Sequence, residues 1–119
     1  MKAVLLVSHG SRSPKTVEEV AALAVLLRQR LPEIMVEFAF LEITPPSIPE
    51  GIDLCVSKGA IRIVVALNFL NAGRHANHDI PAIVAEAKEK YPHIQFAITK
   101  PVGQHGRIPD LFVDLIHEV

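Results

Sequence analysis

Six histidines in a chain of 119 residues are the first chemical feature of this sequence, because histidine both titrates near neutral pH and ligates metals. Their positions matter more than their number. In "LLVSHGSRS", residues 5–13, an apolar run with the character of a buried strand stops at His9 and passes into Gly10, Ser11, Arg12 and Ser13. Such a loop, opening into a helix at Pro14, offers unpaired backbone N–H groups and the positive end of the helix dipole to an anion. Arg12 is available for a bidentate contact with a carboxylate or phosphate. The plainer reading of Ser11 and Ser13 is that they only cap the helix.

Three other segments place reactive side chains just after an apolar run: Glu42 in "FLEITPPS", Arg74, His75, Asn77 and His78 in "NAGRHANHDIP", and His105 in "VGQHGRIPD". His93 precedes the last apolar run and His117 lies near the chain end. Each has a structural alternative. A histidine at a strand end is also at home as a hydrogen-bonded loop residue, Glu42 as a solvated carboxylate, His78 as a surface residue before a helix cap, and His105 as a loop residue between glycines.

The elements that must position these residues alternate in type. Residues 3–8 form a continuous apolar run of the kind that suits a strand covered on both faces, with 34–40, the strongly β-branched 61–67, expected to be central, and 94–98 as three further strands. Val17, Val20, Ala24, Leu27 and Leu31 repeat at helical spacing from a Ser13-Pro14 start to Pro32. Ser47 and Glu50 have the spacing of a capping box, opening a helix that runs to Gly59. Asp79 is placed to cap a helix to about Tyr91, and a short helix follows the loop after the fourth strand.

The order βαβαβαβα predicts one α/β domain over residues 1–119, a three-layer α/β/α arrangement around a four-stranded parallel sheet with right-handed crossovers. Ligands of such sheets bind beyond the carboxyl ends of the strands, where the strand order reverses. With strand order 2-1-3-4, His9 and His75 follow neighbouring strands and face each other across that crevice. The same rim receives Glu42 and His105.

Composition narrows the classes further. A formal net charge of −1 lacks the basic excess of a nucleic-acid binder. Mean hydropathy is +0.32, yet no apolar run approaches the ~18 residues of a membrane span. The N-terminal residues enter strand-like sequence without the pattern of a secretory signal, so a cytoplasmic location is expected. The single cysteine, Cys55, cannot form an internal disulfide and reads as a buried reduced thiol. Residues 20–27, "VAALAVLL", are apolar on every side of their helix, more than one sheet contact requires. A second chain is expected on the excess face.

The segments "SHGSRS", "FAFLEITPPS", "NAGRHANHDIP" and "VGQHGRIPDL" together resemble the short, single-domain sirohydrochlorin cobaltochelatases of the CbiX type, members of the class II chelatases, along essentially the whole chain. The resemblance implies a flavodoxin-like sheet, a homodimer, and a lyase activity that inserts a divalent metal, Co2+ foremost with Ni2+ and Fe2+ as alternatives, into sirohydrochlorin. It implies that the metal enters as substrate and that no organic cofactor is used. By motif, His9 and His75 are the functional histidines, as metal ligands and proton acceptors, with Glu42 as auxiliary ligand or base. Gly10, Ser11, Arg12, Arg74 and His105 are the residues expected to meet the macrocycle's carboxylates. The chain departs from the family pattern at Ala66-Leu67-Asn68 and at Gly106-Arg107, where prolines are more usual. Two other classes are compatible with parts of the pattern. Histidine phosphatases carry an arginine before the first-strand histidine, where this chain has Ser8; a flavodoxin-like module that binds a tetrapyrrole or metal without turnover differs only in lacking a working histidine pair.

Overall fold

In the computed structural model, which describes residues 1–119 apart from the side chains of His75 and Ala76, the four apolar runs form one parallel sheet in the order β2-β1-β3-β4. The strands are β1 (Lys2–Ser8), β2 (Met35–Phe40), β3 (Arg62–Leu67) and β4 (Gln95–Ile98). β1 lies between β2 and β3, with Leu5 opposite Glu37 on one side and Val65 on the other. The predicted order 2-1-3-4 is the observed one. It puts the ends of β1 and β3 side by side.

Alternation along the strands sends side chains to two unequal cores. Ala3, Leu5 and Val7 of β1 and Ile63, Val65 and Leu67 of β3 pack with Ile48, Ile52 and Cys55 of α2 (Ile48–Ser57) and Ile80 and Val84 of α3 (Ile80–Lys90). The opposite face holds a smaller cluster of Leu6 and Phe40 with Val20 of α1 (Pro14–Arg30). β1 is buried on both faces, as its continuous apolar run predicts. In β3 only the α2/α3 side is fully buried, while Val64 and Ala66 stay half-buried, because α1 covers only part of its face.

Local signals were met in some places and overridden in others. The capping box of α2 forms as expected: the Glu50 N–H donates to Ser47 Oγ (3.3 Å) and the Ser47 N–H to Glu50 Oε1 (2.9 Å), which holds the Glu50 carboxyl below its ordinary range. That helix ends at Ser57, and Gly59, at φ 98°, turns the chain toward β3. Ser13 occupies the N-cap position of α1, but its side chain makes no capping bond. The Ser13 N–H instead donates to Ser11 Oγ (3.0 Å), so the serine pair organises the loop and not the helix end. Asp79 does not cap α3 either. It has helical backbone angles, because a π-helical turn, His75–Asp79, precedes the α-helix and carries the chain into it.

Two features lie away from the rim. Tyr91 at the end of α3 donates its hydroxyl to Asp53 of α2 (2.6 Å), which also receives Lys90 Nζ (3.1 Å), clasping the two helices. The final helix, α4 (Ile108–His117), follows a 3-10 turn, Val102–Gln104, and departs from the expected layering. None of its residues is buried, and Leu111, Phe112, Val113, Leu115 and Ile116 are each 49 to 63% exposed. The molecule measures 49 × 32 × 29 Å, and its radius of gyration, 14.7 Å, exceeds the roughly 13.5 Å of a compact chain this long.

Candidate active site

The carboxyl ends of β1 and β3 are stitched together before either loop leaves the sheet. The Asn68 N–H donates to the Val7 carbonyl (2.8 Å), and Asn68 Nδ2 donates to Ser8 Oγ (3.0 Å). Ser8 is the buried polar residue of this floor, and the bond satisfies a hydroxyl that would otherwise be desolvated without a partner. His9 rises directly from it.

The His9 ring is exposed to solvent and meets the Phe69 ring nearly at right angles, with centroids 5.2 Å apart, a favoured aromatic arrangement. Phe69 is itself held from behind: its carbonyl accepts the N–H of Gly103 (3.0 Å). Gly103 must be glycine for that approach, since a Cβ there would lie 1.8 Å from the Leu70 carbonyl oxygen. Sequence reading did not single out Phe69, although an aromatic residue directly after the third strand was the available signal.

On the other side of His9 runs the loop after β2. The Glu42 N–H donates to the His9 carbonyl (3.0 Å), and Gly10, at φ 112°, lies so close that a Cβ would fall 1.9 Å from the Glu42 carbonyl oxygen. Thr44 completes the clamp, its hydroxyl accepting from the Ser11 N–H (3.1 Å) and donating to the Ser11 carbonyl. Ile43 sits at φ 70°, a left-handed conformation that β-branched residues seldom adopt. His9, Gly10, Ser11 and Glu42 are thus fixed as one unit through their backbones. The side chains of His9, Arg12 and Glu42 remain exposed.

Between this unit and α1 opens a cleft of about 380 Å³, lined in part by Ser8, His9, Gly10, Glu19, Leu23 and Asn68. Glu19, one helical turn along from the loop, was not anticipated. The loop after β3 brings exposed Arg74, Asn77 and His78 to the same rim; Asn77 Nδ2 donates to the Ala72 carbonyl (3.3 Å), and His78 Nδ1 lies 3.2 Å from Asp79 Oδ1. The side chain of His75 lies outside the described residues. Among the described residues, no three His, Cys, Asp or Glu side chains gather into a metal-holding group. His105 stands apart from the His9 unit, on an apolar groove beyond Asn68. Its Nδ1 accepts the Arg107 N–H (3.0 Å), which leaves Nε2 to carry the proton of the neutral ring. His93 lies at the opposite end of the strands, with Met1, Lys2 and Arg62.

A parallel sheet of order 2-1-3-4, with a histidine at the end of its first strand and a glycine-serine-arginine loop clamped beside it, defines a ligand site at a topological switch point. The chain belongs to the CbiX family, which it matches over residues 3–119. It is 42% identical over 118 residues to a sirohydrochlorin cobaltochelatase of Priestia megaterium, covering 99% of this chain and 38% of that protein. It is 36% identical to a sirohydrochlorin cobaltochelatase of Sulfolobus acidocaldarius, covering 93% of this chain and 86% of that one. Among solved structures, the sirohydrochlorin chelatase SirB from Bacillus subtilis subspecies spizizenii, in complex with cobalt, superposes with a TM-score of 0.90 at 33% identity, over 99% of this chain and 50% of that chain. This chain spans 38 to 50% of the length of several longer chelatases it matches.

Proposed function

We propose that this chain acts in a sirohydrochlorin chelatase that exchanges two pyrrole protons of the macrocycle for a divalent metal, Co2+ foremost and Ni2+ or Fe2+ as alternatives. The observation that carries the reading is His9, solvent-exposed above the stitched ends of β1 and β3 in a chain similar along its length to cobalto- and ferrochelatases of sirohydrochlorin. In this reading the metal is a substrate in transit and no organic cofactor takes part.

Each insertion strips water from the ion and removes two N–H protons from the ring. Neutral imidazole suits both tasks, as a ligand for borderline metals and as a base near pH 7. His9 and His75 hold the ion at an open site and accept the protons as a coupled pair, with Glu42 as auxiliary ligand or base. The N–H groups of Gly10 and Ser11, with Arg12, Arg74 and His105, bind the macrocycle's carboxylates. The reading includes a homodimer, supported by the exposed Leu23, Val25 and Leu26 of α1, and a cytoplasmic setting that keeps Cys55 reduced.

The test is anaerobic metal insertion into sirohydrochlorin, followed by absorbance, for the wild-type chain and for His9→Ala and His75→Ala. Acceleration over the protein-free rate that each variant lowers by about 100-fold or more supports the reading. A folded protein that binds the macrocycle without accelerating insertion of any of the three metals overturns it in favour of a binding module.

A further inference from the structure

We infer that Asn68 is a substrate-binding residue whose side-chain carbonyl accepts a pyrrole N–H of the metal-free macrocycle, so that the site holds the free ring more tightly than the metallated one. The inference deepens the chelatase reading above and rests on it.

Asn68 lies in one of the two segments where this sequence departs from the family pattern, and it puts a polar side chain directly after the apolar run of β3. A purely structural tie uses only one end of the amide. Nδ2 makes that tie by donating to Ser8 Oγ (3.0 Å), and the backbone N–H is taken by the Val7 carbonyl. The two bonds fix the residue at its base and leave Oδ1 as its remaining polar side-chain atom. Among the described residues, Oδ1 receives no hydrogen bond, and no buried side-chain nitrogen or oxygen lacks a partner. Oδ1 of this half-buried residue is therefore open to the space in front of it.

Asn68 lines both the cleft beside His9 and the apolar groove of about 460 Å³ that runs on to Pro101, Val102 and His105. The amide stands at their junction, where a flat, largely apolar ligand laid across both strips water from Oδ1. That loss costs affinity unless the ligand brings a hydrogen-bond donor to the same point. Ionised carboxylates at the rim of the macrocycle have no donor to give; its pyrrole N–H groups do. In the chelatase reading those protons pass to His9 and His75, so the donors lie beside the cleft that Asn68 lines. A neutral amide oxygen accepts a hydrogen bond without taking the proton near pH 7. It orients the N–H and leaves proton transfer to the imidazoles. Metal insertion removes two N–H protons from the ring, and the product then offers Oδ1 no donor. An acceptor left desolvated against the metallated ring favours release of product over its retention.

The test is anaerobic equilibrium titration of the full chain, followed by absorbance, with sirohydrochlorin and separately with cobalt-sirohydrochlorin. Asn68→Leu, which keeps the side-chain volume, is expected to weaken binding of the free macrocycle about 5-fold and to leave binding of the metallated one unchanged. Because that substitution strands the Ser8 hydroxyl, it is repeated together with Ser8→Ala, where the same selective loss is expected. Ser8→Ala alone keeps Oδ1 and is expected to retain the preference for the free ring. Equal loss for the two forms of the ring, or no loss, overturns the assignment and leaves the chelatase reading standing. A loss of Co2+ affinity measured without macrocycle also overturns it, in favour of a metal-bound water as the donor. A wild-type chain that binds neither form of the ring overturns both.

Discussion

The Phe69 ring stands at 83° to the His9 ring, with centroids 5.2 Å apart, and Phe69 is tied through its carbonyl to Gly103 on the next loop. Three strand ends therefore converge on the orientation of one imidazole: β1 supplies it, β3 supplies the ring it rests on, and the segment after β4 fixes that ring.

From this follows a prediction for Phe69→Leu. Aromatic pairs of this geometry contribute about 1 kcal/mol beyond simple burial, equivalent to about a fivefold rate change when the lost contact orients a reacting group. Metal insertion is expected to slow by about that factor with little change in melting temperature. An unchanged rate in a folded variant refutes Phe69 as a positioning residue.

Gly10→Ala tests the clamp between the loops after β1 and β2. The new Cβ must occupy space taken by the Glu42 carbonyl, at a backbone angle of φ 112°. A cost of about 2 kcal/mol or more is expected, lowering the melting temperature by roughly 5–10 °C. Thermal unfolding followed by circular dichroism measures it.

The Asp53–Tyr91 clasp predicts opposite limbs of a pH profile. The Tyr91 hydroxyl, with Lys90, holds the Asp53 carboxyl below its ordinary range against the effect of burial. Its stabilising contribution is present above the ordinary carboxylate pKa and is lost as pH falls through the lowered value. Asp53 in turn raises the Tyr91 phenol, whose contribution is present below its ordinary pKa and is lost as pH rises through the raised one. In denaturant titrations across pH, Asp53→Asn is expected to flatten both limbs, and Tyr91→Phe to make both shallower, with Lys90, itself raised by Asp53, keeping part of each.

Burial, with the Glu37 carboxylate adding to it, pushes the Cys55 thiol up to about 11. At pH 8 only about a thousandth of it is thiolate, the reactive form. Ellman's reagent is expected to leave the native protein unmodified over minutes and to titrate one thiol per chain after denaturation. Rapid modification of the native chain contradicts this burial.

The sheet was legible in the sequence because its determinants are local and periodic. The unbroken run of β1 and the Ser47/Glu50 capping box each specify their element with little help from elsewhere. The misreadings share the opposite cause. Ser13 and Asp79 are good caps by type, but Thr44 recruits the first loop from 33 residues away, and the π-helical turn carries the chain through Asp79. Phe69 gained its place by contact with the loops after β1 and β4, which no single window of sequence contains. His9, Gly10 and Glu42 were legible as candidates because strand ends can be read once strand order is inferred. The backbone clamp that unites them could not be, since it depends on how closely two loops approach.

The bond from Asn68 to Ser8 joins residues 60 positions apart. During synthesis β1 emerges well before the strand that completes its pairing and the amide that satisfies its terminal hydroxyl, which follows 60 residues later. A nascent chain ending short of Asn68 can pair β1 with β2 and shelter one edge, but it carries His9 on an unsupported strand end with its other edge open to neighbouring chains. The floor of the site and the closure of that aggregation-prone edge are therefore a single late event in folding.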